Sequence, residues 1–381
     1  MPSNKSLRSW KDKPLFTPGP LSTSGTVKQA MLRDLGSRDA EFLAVVADVR
    51  TRLLTLAGVS EPEFTTIPLQ GSGTYAIEAV LSSVVPHDGK VLLIINGSYG
   101  KRMAQICSIH NISSATIVYT EDTLPDSDEV REVMAKDDDL THVAMVHCET
   151  TTGLVNPIEE IGRAARERGL VFIVDAMSSF GGIPLNAEEA CIDFLVSSAN
   201  KCIEGVPGFS YVLARRKTLA AAEGSARTLT LDIAAQLKGL DRNGQFRFTP
   251  PTHVILAFQQ ALDELEAEGG IEARAERYKS NHIALLAGMR DLGFETYLPL
   301  RLQGYIITSF HYLDDPNFKF DAFYERLSAR GFVIYPGKVS SADCFRIGNI
   351  GRLTVNDVRD LLAAIRAVLI EMGVALEVSH S

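Results

Sequence analysis

Leu170-Val171-Phe172-Ile173-Val174-Asp175 and Ile192-Asp193-Phe194-Leu195-Val196-Ser197-Ser198-Ala199-Asn200-Lys201 decide the reading of this chain. Each is a continuous apolar run closed by a residue able to do chemistry, an acid in the first and a lysine in the second. Outward from them, Val91–Ile95, Ala115–Tyr119 and Thr141–His147 read as further strands of the same kind. Helical patterns separate them: Tyr75–Val84, a helix from Lys101, a start at Asp126 with Glu129 three residues on, and Pro157–Arg168 closed by Gly169. Runs that do not alternate polar with apolar expect helices over both faces. Alternating strands and helices of this sort make a parallel, doubly wound sheet. Ligands gather at the C-terminal ends of such strands, where Asp175 and Lys201 both fall.

The rest of the chain bounds the answer. Beyond a helical stretch from about Val254 to Leu292, Tyr305–Tyr312 and Gly331–Tyr335 read as strands, and Phe320–Ala329 and Val355–Met372 as amphipathic helices. That composition suits a smaller α+β domain from about residue 255. The 381 residues, 45% hydrophobic and 22% charged, have room for two cores. Net charge is −9, and no basic run exceeds three residues, which argues against nucleic-acid binding. No stretch of 18 apolar residues suggests a membrane span, and MPSNKSLRSWKDK lacks the apolar core of a signal peptide. The five cysteines are scattered without a CxxC pair, which suits reduced thiols in a cytoplasmic protein and leaves no zinc site to expect.

Several short segments are candidates for one site. Gly71-Ser72-Gly73-Thr74 opens a helix and offers backbone N–H groups and hydroxyls to a phosphate; the plain alternative is an ordinary N-cap. Tyr99, in Asn96-Gly97-Ser98-Tyr99-Gly100, follows a strand end and could stack on a flat ring or simply pack at a domain seam. His147-Cys148-Glu149-Thr150-Thr151-Thr152-Gly153 follows another strand end, with three successive hydroxyls for a polar ligand edge or a simple turn. His147 reads better as a satisfied histidine beside the sheet than as a base. Asn200 stands where it could meet a phosphate or cap the turn. Arg346, in Phe345-Arg346-Ile347-Gly348-Asn349-Ile350-Gly351, is set among apolar and glycine residues. A guanidinium there suits a carboxylate or phosphonate, the alternative being a structural ion pair.

An acid and a lysine at the C-terminal ends of two buried strands is what pyridoxal phosphate chemistry needs. The lysine forms a Schiff base with the cofactor aldehyde, and the carboxylate holds the pyridine nitrogen protonated. With the segments in order, the chain resembles the class V aminotransferases of pyridoxal-phosphate fold type I over nearly its whole length. Thr17-Pro18-Gly19-Pro20, GSGT, NGSYG, HCETTTG, VDAMSSFGG, SSANK and RIGNIG follow the family order. Each motif is weak, but the ordered set is specific. TPGPL, GSGTYAIEA, NGSYGKRM, HCETTTGLVNPI, FRFTPPTH and FRIGNIG are most similar to the subgroup that moves the amino group of 2-aminoethylphosphonate to pyruvate. The alanine– and serine–glyoxylate aminotransferases share the architecture but tend to carry Trp in place of Tyr99.

The resemblance implies a large domain with a mainly parallel seven-stranded sheet between helices, over residues 25–254. An N-terminal arm, 1–24, would reach the active site, and 255–381 would form the small domain. Lys201 would be the Schiff-base lysine and Asp175 the pyridine partner. Tyr99 would stack on the ring, with Met177 beside it, and Thr150 would contact the ring hydroxyl. Ser72, Gly73, Thr74 and Asn200 would hold the phosphate. Thr252 would reach the cofactor phosphate of a second subunit, making a homodimer with shared sites. Arg346 would bind the anionic end of each substrate, with Ser22, Thr23 and Ser24 as candidate extra donors. Leu35–Phe42 and Leu229–Leu240 fit the subgroup only loosely. A cysteine desulfurase would need a mobile nucleophilic thiol, for which Cys344 is the sole candidate near Arg346. A silent scaffold of this fold would be expected to have lost Lys201, Asp175 or Arg346. A dinucleotide-binding dehydrogenase would need a third glycine that GSGTYA lacks.

Overall fold

The computed structural model describes residues 12–337 and 342–376. Its centre is a seven-stranded sheet in the order Phe64–Gln70, Phe209–Arg215, Phe194–Ser198, Val171–Asp175, Leu140–Val146, Lys90–Ile95, Ser113–Val118. Phe209–Arg215 runs antiparallel to both of its neighbours, and every other pairing is parallel. Val146 lies opposite Asp175, and Asp175 opposite Val196, so the ends of three successive strands meet at one rim. Phe172, Ile173, Val174, Leu195 and Val196 are fully buried, as strands covered on both faces require. Each such side chain stabilises the fold by roughly 1.5–3 kcal/mol, and Ile173→Ala would cost about 2–5 kcal/mol.

Two large apolar cores are distinct. The first runs from Val27 to Leu265 and encloses the seven-stranded sheet. The second joins Phe16 to residues between Leu285 and Val374, around the three-stranded sheet Ile307–His311, Cys344–Gly348, Tyr335–Pro336. The helix Thr252–Glu268 packs its apolar face, including Phe258 and Leu262, into the first core, although the expected division at 254/255 falls at its start. Arm residue Leu15 bridges to Val333, and Phe16 is wholly buried in the second core.

Where the sequence reading and the structure differ, the causes are local. The stretch from Val254 to Leu292 is two helices, Thr252–Glu268 and Gly270–Arg290. Gly269 at φ +110° and Gly270 at φ +82° break it, a backbone state that glycine enters without strain. Gly331–Tyr335 is not a strand. Only an isolated bridge from Val333 to Leu15 and the two-residue strand Tyr335–Pro336 pair there, after a turn centred on Gly331 at φ +93°. Phe64–Gln70 and Phe209–Arg215 were not singled out as strands. Pro68 and Gly208 look like breakers in sequence, yet Phe64–Gln70 is an edge strand, where a proline costs no ladder bond.

Candidate active site

Asp175 ends its strand with the carboxyl buried, and the backbone N–H of Met177 donates to its Oδ1 at 3.0 Å. Burial pushes the acid up to about 6, a rise that the Met177 N–H and the charges of Lys201 and Arg102 oppose. Among the described residues it has no salt-bridge partner. Its charge therefore has no direct counter-ion at the rim. Gly73 leans against the Met177 side chain so closely that a Cβ would overlap the sulfur. The GSGT turn is thereby locked onto the loop that follows Asp175.

Lys201 sits three residues beyond the strand Phe194–Ser198. Its Nζ donates to the carbonyl of Pro18 at 2.6 Å. Burial holds its pKa below the ordinary lysine value, against the pull of Cys202, Asp175 and Cys148. That favours the uncharged, nucleophilic amine. The arm reaches the lysine because Gly19 adopts φ +113°, and a Cβ there would lie 2.7 Å from the Asn200 carbonyl oxygen and 2.9 Å from Lys201 Cδ.

The helix Gly73–Val84 begins at Ser72, whose hydroxyl makes no capping bond. A helix N-terminus whose cap hydroxyl is unspent is suited to an anion. Thr74 Oγ1 accepts from Arg102 at 3.1 Å, and the Arg102 guanidinium lies 4.8 Å from the centre of the Tyr99 ring. Thr150 Oγ1 and Ser178 Oγ are 2.6 Å apart, which ties the HCETTTG loop to the segment after Asp175.

Arg346 projects from the strand Cys344–Gly348 toward the same rim. Its Nη1 donates to the Thr150 carbonyl at 2.9 Å, and its guanidinium stacks 4.7 Å from the Tyr335 ring centre. Its Nε is buried without a hydrogen-bond partner, and among the described residues no ion pair involves it. Among the described residues nothing favours the structural-ion-pair alternative. A buried N–H left open costs about 1–3 kcal/mol, which a bound anion would offset. Burial lowers its pKa, while Tyr99, Tyr335 and Glu149 pull it back up.

Other expectations need correction. His147 is buried but not satisfied: its Nδ1 has no partner, and burial pushes its pKa down to about 4, so it is neutral. Ser24 Oγ accepts from the N–H of Val27 and donates to Glu264, so it is not a free donor at the site, whereas Ser22 Oγ accepts from the N–H of Leu15 at 2.8 Å and keeps its own proton to donate. Thr252 stands at the start of its helix with its hydroxyl beside His253, 3.5 Å away. Cys344 is fully buried in its strand and pushed up to about 11, the opposite of a mobile nucleophile. The sequence reading did not single out Arg102, Glu149, Ser178 or Tyr335. The first three lie inside quoted motifs, but nothing in the order of residues marks them apart from their neighbours.

The assembled rim has known counterparts. Residues 24–319 match the family described as aminotransferase class-V. A Syntrophobacter fumaroxidans protein named 2-aminoethylphosphonate–pyruvate transaminase is 52% identical over 96% of this chain and 99% of its own length. One of the same name from Salmonella typhimurium is 50% identical over 93% of this chain and 97% of its own. The ureidoglycine–glyoxylate aminotransferase of Bacillus subtilis superposes with a TM-score of 0.87 at 24% identity, covering 97% of this chain and 96% of that one, a likeness of fold. With its lysine, acid and arginine brought together on such a frame, the chain belongs to the class V aminotransferase family.

Proposed function

We propose that this enzyme transfers the amino group of 2-aminoethylphosphonate to pyruvate, giving phosphonoacetaldehyde and L-alanine, with pyridoxal 5′-phosphate as cofactor. The observation that carries it is the buried, unbonded Nε of the half-buried Arg346, beside the Asp175–Lys201 rim, in a chain half identical to proteins named for that reaction.

The residues present fit the cofactor. Asp175 is a buried carboxyl that lacks a counter-ion, which a protonated pyridine nitrogen would supply. The unspent Ser72 hydroxyl, the first amides of the helix at Gly73 and Thr74, and Asn200 suit its phosphate. Tyr99 and Met177 would bound the ring, and Thr150 would meet its hydroxyl. When bound, the cofactor supplies an aldehyde that condenses with amines and an electron-withdrawing ring. The protein's own work is then positional. Lys201 Nζ, its pKa lowered by burial, removes a proton from the amine-bearing carbon of the donor and later returns one to C2 of pyruvate. Arg346 binds the phosphonate of one substrate and the carboxylate of the other, since a planar fork accepts both shapes. Asp175 would pair with the ring nitrogen and favour its protonated form.

A homodimer with shared sites is part of this reading, with Thr252 serving the partner's cofactor phosphate. Exposed Leu32, Tyr75, Leu229 and Phe248 support it, since such apolar side chains suit a covered face. The arm 1–24, the body 25–254 and the small domain 255–381 are its working parts. A cytoplasmic setting is supported by five unpaired, buried cysteines. Among the described residues no helix is long and apolar enough to cross a membrane.

The test is to mix cofactor-loaded enzyme in parallel with 2-aminoethylphosphonate, alanine and serine and follow its visible absorbance. Bleaching by the phosphonate, reversed by pyruvate, supports the reading. Bleaching by serine or alanine alone, reversed by glyoxylate, would move the activity to the glyoxylate aminotransferases.

A further inference from the structure

Glu149 is the least explained side chain at the rim. It is wholly buried, in the two-residue strand Cys148–Glu149 just after Leu140–Val146. Thr151 donates to its Oε1 through Oγ1 at 2.8 Å and through the backbone N–H at 3.4 Å. Oε2 has no hydrogen-bond partner. The carboxylate is pressed under Gly97, where a Cβ would overlap its Cγ, Cδ and Oε2. Gly97 itself has φ −177°, an extended backbone that any residue adopts. The glycine is therefore demanded by the space that Glu149 fills and not by its own conformation.

Gly97 is also the N-cap of the helix Ser98–Ile109, which has no side-chain cap of its own. The Tyr99 N–H, in the first turn, faces Glu149 and draws its pKa down slightly. An anion at a helix N-terminus is favoured by the orphan N–H groups and the dipole. We propose that Glu149 is a positioning residue that caps this helix from a separate segment of chain and so fixes Tyr99 against the cofactor ring. The inference rests on the reading above in which Tyr99 meets that ring. Arg102, bonded to Thr74 and stacked on Tyr99, holds the side chain, while Glu149 holds the backbone that carries it.

The cap depends on charge. Burial pushes Glu149 up to about 7, opposed by Thr151, with Asp175 adding to the rise. The titratable groups that face it are Tyr99 on the capped helix, Cys148 beside it in the chain, Asp175 on the neighbouring strand and Arg346 from the small domain. Above neutrality the cap is anionic; below it the cap weakens. Glu149→Gln removes the charge at all pH values while leaving Asp175 in place, so the comparison isolates this one group.

Cofactor-free protein is titrated with pyridoxal phosphate by fluorescence, and visible circular dichroism of the loaded form is recorded, both from pH 6 to 8.5. Above neutral pH, Glu149→Gln should bind the cofactor about tenfold more weakly and lose visible ellipticity, and the difference from the unaltered protein should shrink as pH falls. Gly97→Ala keeps every charge and serves if Glu149→Gln does not fold. It should reproduce the effect in the unaltered protein and add little in a Glu149→Ala background, where the space is empty. Equal affinity and ellipticity for Glu149→Gln at high pH, or equal Gly97→Ala effects in both backgrounds, would overturn the role. Failure of the unaltered protein to take up pyridoxal phosphate would instead overturn the cofactor reading.

Discussion

The Nζ of Lys201 and the carbonyl of Pro18 lie 2.6 Å apart across 183 residues of sequence. The N-terminal arm thus crosses directly over the lysine proposed to do the chemistry. Gly19 makes the approach possible, with a positive φ and no room for a Cβ. Gly19→Ala should therefore lower turnover about tenfold or more through a misplaced lysine, since a misplacement of about 1 Å can cost 10²-fold. Lys201→Ala should abolish turnover and leave some cofactor bound. Steady-state kinetics with borohydride trapping checks both: trapping should be retained in Gly19→Ala and absent in Lys201→Ala. Normal turnover by Lys201→Ala would sink the assignment of that lysine.

Asp175 carries a pH prediction for the cofactor-free protein. Its folded pKa, about 6, stands above the ordinary aspartate value of 3.8. A raised carboxyl contributes stability that is fully present below the unfolded pKa and is lost as pH rises through the folded one. The loss therefore falls between about pH 4 and pH 6 and amounts to about 3 kcal/mol. Asp175→Asn cannot ionise and avoids it. Its melting temperature relative to the unaltered apoprotein should rise across that window and level off above it, while cofactor affinity drops. An equal shift at pH 4 and pH 8 would rule the mechanism out.

Asp175 and Lys201 were legible because a buried parallel strand writes itself as an unbroken apolar run, and the residue closing the run is at the rim. Arg346 was legible by contrast, a cation among glycines and apolar side chains. Glu149 and Tyr335 were not. Glu149 stands in a polar loop sequence where nothing distinguishes a buried acid from a solvated one; its burial comes from Gly97, far away in the chain. Tyr335 matters through a ring contact with Arg346 across a two-residue strand pairing, which has no sequence period. The hydroxyl of Ser24 misled for the same reason, since its partners, Val27 and Glu264, are fixed by the fold and not by the motif.

Arg346→Lys separates shape from charge. Lysine keeps a cation but loses the fork that bonds the Thr150 carbonyl, faces Tyr335 and leaves Nε open. Hydrogen bonds to charged groups are worth about 1.5–3 kcal/mol, so kcat/KM should fall roughly 10- to 100-fold for donor and acceptor alike. Parallel kinetics with 2-aminoethylphosphonate and with pyruvate checks it. A loss confined to one substrate would show that the two anions do not share this arginine.

Glu204 joins the lysine turn to the small domain. It is buried at φ +66°, a costly state for a residue other than glycine, and its N–H donates to the Lys201 carbonyl at 2.8 Å. Its Oε1 accepts from Arg277 and from the Tyr278 hydroxyl, each at 2.7 Å, with Arg274 at 3.6 Å. Arg277 in turn donates to the carbonyls of Gly351 and Leu353, just beyond the Arg346 strand. One residue therefore links the turn that carries Lys201, through its backbone, to the segment beyond the Arg346 strand, through its carboxylate. Glu204→Gln leaves Arg274, fully buried, with Glu268 as its remaining acid. Breaking a buried ion pair from one side costs about 3–5 kcal/mol, so the urea midpoint should fall clearly. Because the lysine turn loosens with it, kcat should drop more than KM rises. An unchanged midpoint would show that Glu268 alone satisfies both arginines and that the link to Lys201 is dispensable.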